Sequence, residues 1–253
     1  MRTKHKIEPK LSDTDLDRII EGCATYCDNM GGIHNYSKEY KEKRKLLYQS
    51  TYALLWYSGL RSSEVVGSPP LKWRVLSNEG IRLFRNNNLP KEWWKTEETM
   101  GLWVYRIGES YPGLHREDIM IDYPNKQLLI NCEPLKGGIR PEPLNIFAGL
   151  KYVNLIEKQW FYTKPKERVF PIGHERLYSV LRGVFENKKV HPHTLRHERI
   201  NRFAENPNVT IPNMMNWMGW ARASTADSYI SRVRGSKKMG EILAGEQPLP
   251  QEA

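Results

Sequence analysis

Apolar residues recur at helical spacing in several stretches of the chain. The first stretch begins at Ser12, which can cap a helix, and Asp15 stands at the capping-box position. The second stretch is charged at its start and apolar later, and Gly59 behind it can take the left-handed conformation that ends a helix. Helices are therefore predicted from residue 12 to 29–32, from 37 to 58, and over 145–161, 176–186 and 211–218, with a short one around Tyr229.

Between residues 114 and 146 the pattern changes to short apolar runs separated by turn residues. Pro124-Asn125 and Gly137-Gly138 interrupt these runs, which is typical of a small antiparallel sheet. Lys136 falls at one of the turns. The predicted fold is mainly α with a small antiparallel β-sheet, in the α+β class. We expect a basic arm over 1–10, one domain over 11–235, and a tail over 236–253 that is disordered at its end.

Residues 68–113 lack a regular apolar period, yet they contain half of the tryptophans. Two interpretations remain open: an aromatic and basic surface for nucleic acid, or a small accessory core filled by tryptophan side chains. We predict a small subdomain that Trp73 and Trp103 anchor. Trp93 and Trp94 are then the exposed pair, and Lys91 and Lys95 beside them are candidate phosphate contacts.

The charge of the chain is unevenly distributed. Among its 253 residues, 39 Lys and Arg face 29 Asp and Glu, which gives a net charge of +10. Residues 181–240 hold eleven Lys and Arg against four Asp and Glu, which leaves +7 in that segment. Solvated helix faces would explain such a run, but the concentration also suits a protein that approaches a polyanion.

The cysteines indicate a reducing compartment. Cys23 and Cys27 lie on one predicted helix and Cys132 in a predicted strand, a spacing that gives neither a disulfide framework nor a zinc site. We therefore expect no metal. The sequence shows no secretory signal and no apolar stretch of about 20 residues that could span a membrane. A cytoplasmic protein without membrane contact is the expectation.

The stretch 191–229 contains the residues with the most chemistry. His193 and Arg196 stand in the pattern H-T-L-R, which places both side chains near one face of a helix. Trp220 and Tyr229 follow. An arginine offers a rigid fork of donors that suits a phosphate, a histidine can move a proton near neutral pH, and a tyrosine can be a nucleophile. Together these side chains indicate phosphodiester chemistry.

The ordered set of motifs resembles the tyrosine recombinases, the integrase and Xer-type site-specific DNA recombinases. The motifs are Gly59-Leu60-Arg61-Ser62-Ser63-Glu64 for the first arginine, Lys136-Gly137-Gly138-Ile139-Arg140 for the lysine hairpin, the His193 to Arg196 box, Met218-Gly219-Trp220, and Tyr229. They occur in the order of that family. The resemblance covers about residues 46–235 and makes 68–113 an insertion. It leaves too few residues before Arg61 for the separate helical domain that integrases generally carry.

The resemblance implies a metal-independent and ATP-independent reaction that needs no cofactor. Tyr229 would attack a DNA phosphate and form a 3′-phosphotyrosine intermediate, which a 5′-hydroxyl later resolves. Arg61 and Arg196 would bind the non-bridging oxygens, with Glu64 holding Arg61. The other implied roles are protonation of the leaving oxygen by Lys136, transfer of the tyrosine proton by His193, and a hydrogen bond to the phosphate from Trp220.

The implied partner is double-stranded DNA, on which the chain would work as a homo-oligomer, a tetramer. Arg222 joins the two insertion lysines as a candidate DNA contact. Each residue has a plainer interpretation when taken alone: Arg61 as a salt-bridge arginine, Lys136 as a loop charge with Lys126 as the alternative, and Tyr229 as a core tyrosine. Two other functions also remain, a type IB topoisomerase-like nicking and rejoining enzyme, and a DNA-binding protein that keeps the fold without activity.

Overall fold

The structure is a computed structural model. It describes residues 9–30, 36–67, 72–76, 94–97, 102–107, 112–134, 138–185 and 189–245, with the backbone alone for the three short segments between 72 and 107 and for 236–245. The described helices are α1 (Asp13–Asp28), α2 (Lys38–Ser58), α3 (Ser62–Val66), α4 (Val153–Tyr162), α5 (His174–Val184), α6 (Pro192–Glu205), α7 (Ile211–Met218) and α8 (Ala223–Gly245).

The start of α1 is fixed both by its own cap and by α6. The Ser12 amide donates to Oδ2 of Asp15 at 2.8 Å, which is half of the predicted capping box. The buried carboxylate of Glu198 accepts from the Leu11 amide at 3.2 Å. Arg202 links the two elements again, because its Nη1 donates to Oδ1 of Asp13 at 2.6 Å. The first helix is thereby held against the helix that contains the H-x-x-R box.

Helix α2 is the central element of the main core. Its second half is buried from Leu47 to Ser58 apart from the half-buried Gln49, as the apolar pattern predicts, and the Tyr52 hydroxyl donates to the Leu177 carbonyl of α5 at 2.6 Å. Gly59 ends the helix with φ 65°, a left-handed conformation that costs a glycine little. The chain turns there, and Arg61 becomes the N-cap residue of α3.

The predicted small sheet is present as three antiparallel strands, β4 (Ile119–Asp122), β5 (Gln127–Ile130) and β6 (Leu144–Phe147), in the order β4-β5-β6. The prediction of a helix over 145–161 was wrong in its first part. Residues 144–147 alternate between buried and exposed, the period of a strand, and Leu144 pairs with Ile130. The helix begins only at Val153, after a turn over 148–150.

The insertion contains a second sheet. Strands β1 (Lys72–Leu76), β2 (Trp94–Glu97) and β3 (Leu102–Ile107) are antiparallel in the order β1-β3-β2. Trp73 pairs with Arg106, and Trp103 pairs with Thr96 and Leu76. The anchoring role of Trp73 and Trp103 and the exposure of Trp94 concern side chains that the structure does not describe. Trp93 lies outside the described residues.

Among the described side chains, two clusters of buried residues form the interior. The large one contains side chains of α1, α2, α4, α5 and the β4-β5-β6 sheet. The small one joins α6, α7 and α8 through Ile200, Ala204, Met214, Met218 and Ala226. Trp220 and Tyr229 pack against this second cluster, so it positions the candidate nucleophile. None of the described helices is both long and apolar enough to cross a membrane.

The helix that contains Tyr229 is much longer than predicted. The expectation was a short helix followed by an irregular tail, whereas α8 runs through Gly245. Residues 231–245 include good helix formers and no proline, which explains why the helix continues. Arg234 fixes α8 laterally: its Nε donates to the Ala204 carbonyl at 2.9 Å, and its Nη2 donates to the carbonyls of Asn206 at 2.7 Å and Val209 at 2.8 Å.

Candidate active site

The first arginine is held by the acidic residue that follows it. Nη1 of Arg61 lies 2.9 Å from Oε1 of Glu64, and the Arg61 amide donates to Oε2 at 2.6 Å. The side chain of Glu64 is fully buried, whereas that of Arg61 is 21% exposed. The buried carboxylate therefore orients the guanidinium, and part of the guanidinium stays open to an incoming anion.

Arg196 lies beside this pair and is almost wholly buried, with 3% of its surface exposed. Its Nη1 donates to the Gly59 carbonyl at 2.6 Å and lies 3.9 Å from Oε2 of Glu64. The turn that presents Arg61 thus also fixes Arg196. Within the described part of the chain, Nη2 of Arg196 is buried and has no hydrogen-bond partner. Burial and the nearby charge of Arg61 lower the pKa of Arg196 to about 10, so it stays cationic at neutral pH.

Tyr229 is surrounded on three sides. Its ring stacks on Trp220 at a centroid distance of 5.5 Å and an angle of 12°. On another side, the Arg232 guanidinium lies 4.9 Å from the ring centroid. Its hydroxyl lies 3.1 Å from Nδ1 of His197, within hydrogen-bond distance. These contacts fix the ring and the direction of the hydroxyl before any substrate binds.

The two histidines of α6 are in contact with each other. The rings of His193 and His197 meet edge to face at a centroid distance of 4.5 Å, as expected for residues one helical turn apart. Loss of water around the His193 ring, followed by repulsion from His197 and Arg196, lowers the pKa of His193 to about 4. His193 is therefore neutral at pH 7, and His197 lies within hydrogen-bond distance of Tyr229.

We expect the depressed pKa of His193 to destabilise the free protein in mild acid. In the unfolded chain this histidine takes up a proton as the pH falls below 6.5, whereas in the folded protein it does so only near pH 4. The free energy of unfolding therefore declines as the pH falls between these two values. His193→Asn should show a shallower decline in chemical unfolding measured between those limits. The difference should be small, because part of the His193 side chain remains exposed and water there screens its charged neighbours. A variant with the parent's slope would contradict the assigned cause.

Lys136 lies outside the described residues, but both sides of its loop are described. A Cβ added at Gly138 would overlap the carbonyl oxygen of Gly219, and one added at Gly219 would overlap the Pro134 ring. Gly219 also has φ 64°, which ends α7. The chain on each side of Lys136 therefore packs tightly against the residue that precedes Trp220.

Arg140 fastens this loop to α7. Its Nε donates to the Trp217 carbonyl at 3.0 Å, and its Nη1 donates to the Cys132 carbonyl. Its Nη2 is buried and without a hydrogen-bond partner among the described residues. The positive charge of Arg140 contributes to lowering the pKa of Arg196, so the two guanidinium groups are close enough to repel each other.

His197 and Arg140 are the two residues of this site that sequence reasoning missed. His197 directly follows the H-T-L-R box and lies four residues after His193, so helical periodicity alone places both imidazoles on one face. Arg140 is the last residue of the hairpin motif, in which the resemblance assigns a role to the lysine alone. Nothing in the sequence pattern indicates that its partners are backbone carbonyls in α7 and after β5.

The candidate DNA contacts away from this centre are only partly described. Lys91 lies outside the described residues, and only the backbone of Lys95 is described, paired with Val104 in the β2-β3 ladder. Arg222 is exposed and directly precedes α8. These three assignments stay predictions, and the salt dependence of DNA binding tests them.

The arrangement suits an attack on a phosphate. Two arginines offer charge-assisted donors, one of them buried with an unused N–H group, and a tyrosine hydroxyl is held at a histidine nitrogen. Guanidinium groups in a partly dehydrated pocket can stabilise charge that develops on phosphate oxygens.

The fold has a counterpart among solved structures. No protein-family model matches the chain, and no curated protein matches it. The crystal structure of XerA recombinase is similar over 96% of this chain and 67% of that chain, with a TM-score of 0.50 and 12% sequence identity. At this identity the likeness shows the fold alone. The chain has a recombinase-like fold, mainly helical with a small antiparallel sheet, which confirms the predicted fold class.

Proposed function

We propose that this chain is a DNA strand-cleaving and rejoining enzyme of the tyrosine recombinase type, a site-specific recombinase that acts through a 3′-phosphotyrosine. The observation that supports this most is the buried Nη2 of Arg196, which has no partner among the described residues. Leaving such a donor unsatisfied costs about 1–3 kcal/mol. A phosphate oxygen bound beside Arg61 would satisfy it.

In the proposed reaction the arginines bind and stabilise the phosphate. Arg61 reaches it from the partly open side and Arg196 from the buried side, and Glu64 keeps both in place. The negative charge of the pentacoordinate transition state exceeds that of the ground state, so fixed donors favour it. Tyr229 supplies the nucleophile, and the indole N–H of Trp220 is a further donor. The resemblance implies that His193 accepts the tyrosine proton and that Lys136 donates a proton to the leaving oxygen.

The arrangement also speaks against a protein that only binds DNA. Ordinary phosphate contacts come from exposed lysines and arginines, and they need no buried guanidinium or fixed tyrosine hydroxyl. Burying a cation without a ligand lowers stability. Arg196 is buried all the same: its Nη1 lies 3.9 Å from Oε2 of Glu64, while its Nη2 has no partner among the described residues.

Covalent capture on DNA tests the proposal. The protein is incubated with a library of nicked duplexes of random sequence, denatured, and the DNA that stays attached is sequenced. We expect adducts on one sequence motif and strand exchange between two copies of it. Adducts without sequence preference would favour the topoisomerase-like alternative. No adduct with any duplex would contradict the proposed function. Centrifugation on the selected DNA tests the proposed tetramer.

The assignment of the general acid to Lys136 has its own test. Lys136→Ala should cleave slowly on ordinary DNA, and a 5′-bridging phosphorothiolate should restore the rate because a thiolate leaves without a proton. Lys126→Ala is the matched control. Lys126 lies in the β4-β5 turn, directly before β5, whereas Pro134 follows the opposite end of that strand. The strand itself is roughly 10 Å long. Rescue of Lys126→Ala but not of Lys136→Ala would reverse the assignment.

A further inference from the structure

We infer that His197 is the direct proton acceptor of Tyr229 during cleavage and its proton donor during rejoining. The inference rests on the proposed function and adds to it a catalytic residue outside the motifs that carry the resemblance. It follows from the contacts between α6, α8 and Trp220, and from the short distance between the Tyr229 hydroxyl and His197.

The geometry selects His197 over His193. The Tyr229 hydroxyl lies 3.1 Å from Nδ1 of His197, the distance for a proton to pass between them. The His193 ring meets that of His197 edge to face at a centroid distance of 4.5 Å. His193 thus contacts the residue that contacts the tyrosine, so it acts as a positioning residue for His197.

The residues around Tyr229 and His197 fix the position of one relative to the other. Trp220 stacks on one face of the Tyr229 ring, and Arg232 lies over the ring while its Nη2 donates to Oδ1 of Asn201 at 3.2 Å. Arg234 fixes α8 to carbonyl groups at and beyond the end of α6. Since α6 contains His197 and α8 contains Tyr229, this anchor sets their separation. A proton acceptor needs such a fixed distance.

The proton balance of the step is complete. When Oη of Tyr229 bonds to phosphorus, its proton passes to Nδ1 of His197, a step that requires His197 to hold its own proton on Nε2 beforehand. The bond from phosphorus to the 5′ oxygen breaks, and that oxygen takes a proton from Lys136. In rejoining, the 5′-hydroxyl attacks phosphorus and gives its proton back to Lys136, the bond to Oη breaks, and His197 returns its proton to the phenolate.

The test compares His197→Ala, His197→Asn and His193→Ala on the DNA selected by covalent capture. We expect His197→Ala to cleave ~10²–10⁴-fold more slowly, the usual contribution of a general base, and to regain rate with added imidazole. His197→Asn can still accept a hydrogen bond but cannot take the proton, so it should stay slow. Thermal unfolding and DNA affinity identify any variant that fails for other reasons.

A second measurement isolates the proton transfer. Replacing Tyr229 by a fluorinated tyrosine makes the phenol more acidic and reduces its need for a base. The defect of His197→Ala should shrink in that background, whereas the defect of His193→Ala should not. Parent-like cleavage by His197→Ala, full activity of His197→Asn, or shrinkage confined to His193→Ala would overturn the inference. In each case Tyr229-dependent adducts by the parent would leave the proposed function intact. A parent that forms no adduct would overturn both.

Discussion

Tyr229→Phe is expected to abolish the covalent adduct with DNA while leaving DNA affinity nearly unchanged. The substitution removes one oxygen, so the stacking on Trp220 and the contact with Arg232 persist. The hydrogen bond to His197 is lost, which should cost about 1 kcal/mol of folding stability. The measurement is denaturing electrophoresis of protein with labelled suicide DNA, alongside a binding titration.

Tyr178→Phe is the matched control for this experiment. Tyr178 is half-buried on α5 and stacks on His191, the N-cap residue of α6, at a centroid distance of 6.1 Å. We expect it to keep the adduct. An undiminished adduct in Tyr229→Phe would show that another residue attacks the phosphate.

Arg61→Ala and Arg196→Ala should each slow cleavage by at least ~10²-fold at saturating DNA, the usual effect of losing a preorganised donor to a developing charge. Arg196→Lys should be slow as well, because a lysine cannot replace the guanidinium fork that bonds the Gly59 carbonyl and keeps a second nitrogen unused. Single-turnover cleavage measures these rates.

Arg182→Ala, which removes an exposed arginine of α5, should cleave like the parent and controls for the loss of a positive charge. Arg196→Ala also leaves Glu64 with one cation fewer, so its thermal unfolding must be measured beside its rate. A defect that disappears at saturating DNA would mean that the arginines are ordinary phosphate contacts.

The sequence predicted the features that depend on local spacing. The Ser12 cap and the left-handed Gly59 follow from residues within one turn of a helix end, and both are confirmed. The box that contains His193 and Arg196 lies on a helix for the same reason. Glu64 beside Arg61 is also local, because an i to i+3 pair at a helix start meets regardless of the rest of the fold.

The sequence could not predict features that depend on contacts between distant segments. Arg140 has its partners in α7 and after β5, and nothing near it in the chain indicates backbone carbonyls as acceptors. The separation of Tyr229 from His197 depends on where α8 crosses α6. The predicted helix began at residue 145, inside the strand over 144–147, because four residues are too few for periodicity to distinguish helix from strand.

If Tyr229 is the nucleophile of an oligomer, as proposed, the anchoring of α8 by Arg234 has a consequence for which subunit supplies it. Three carbonyl groups at the end of α6 and before α7 hold the helix of Tyr229 against its own chain. A tyrosine donated to a neighbouring subunit would have to give up these bonds together with the stacking on Trp220. Under the proposed function we therefore expect each protomer to use its own Tyr229 beside its own Arg61 and Arg196. In an assembly of mixed subunits, the number of competent sites would equal the number of intact chains, and two defective chains could not repair each other.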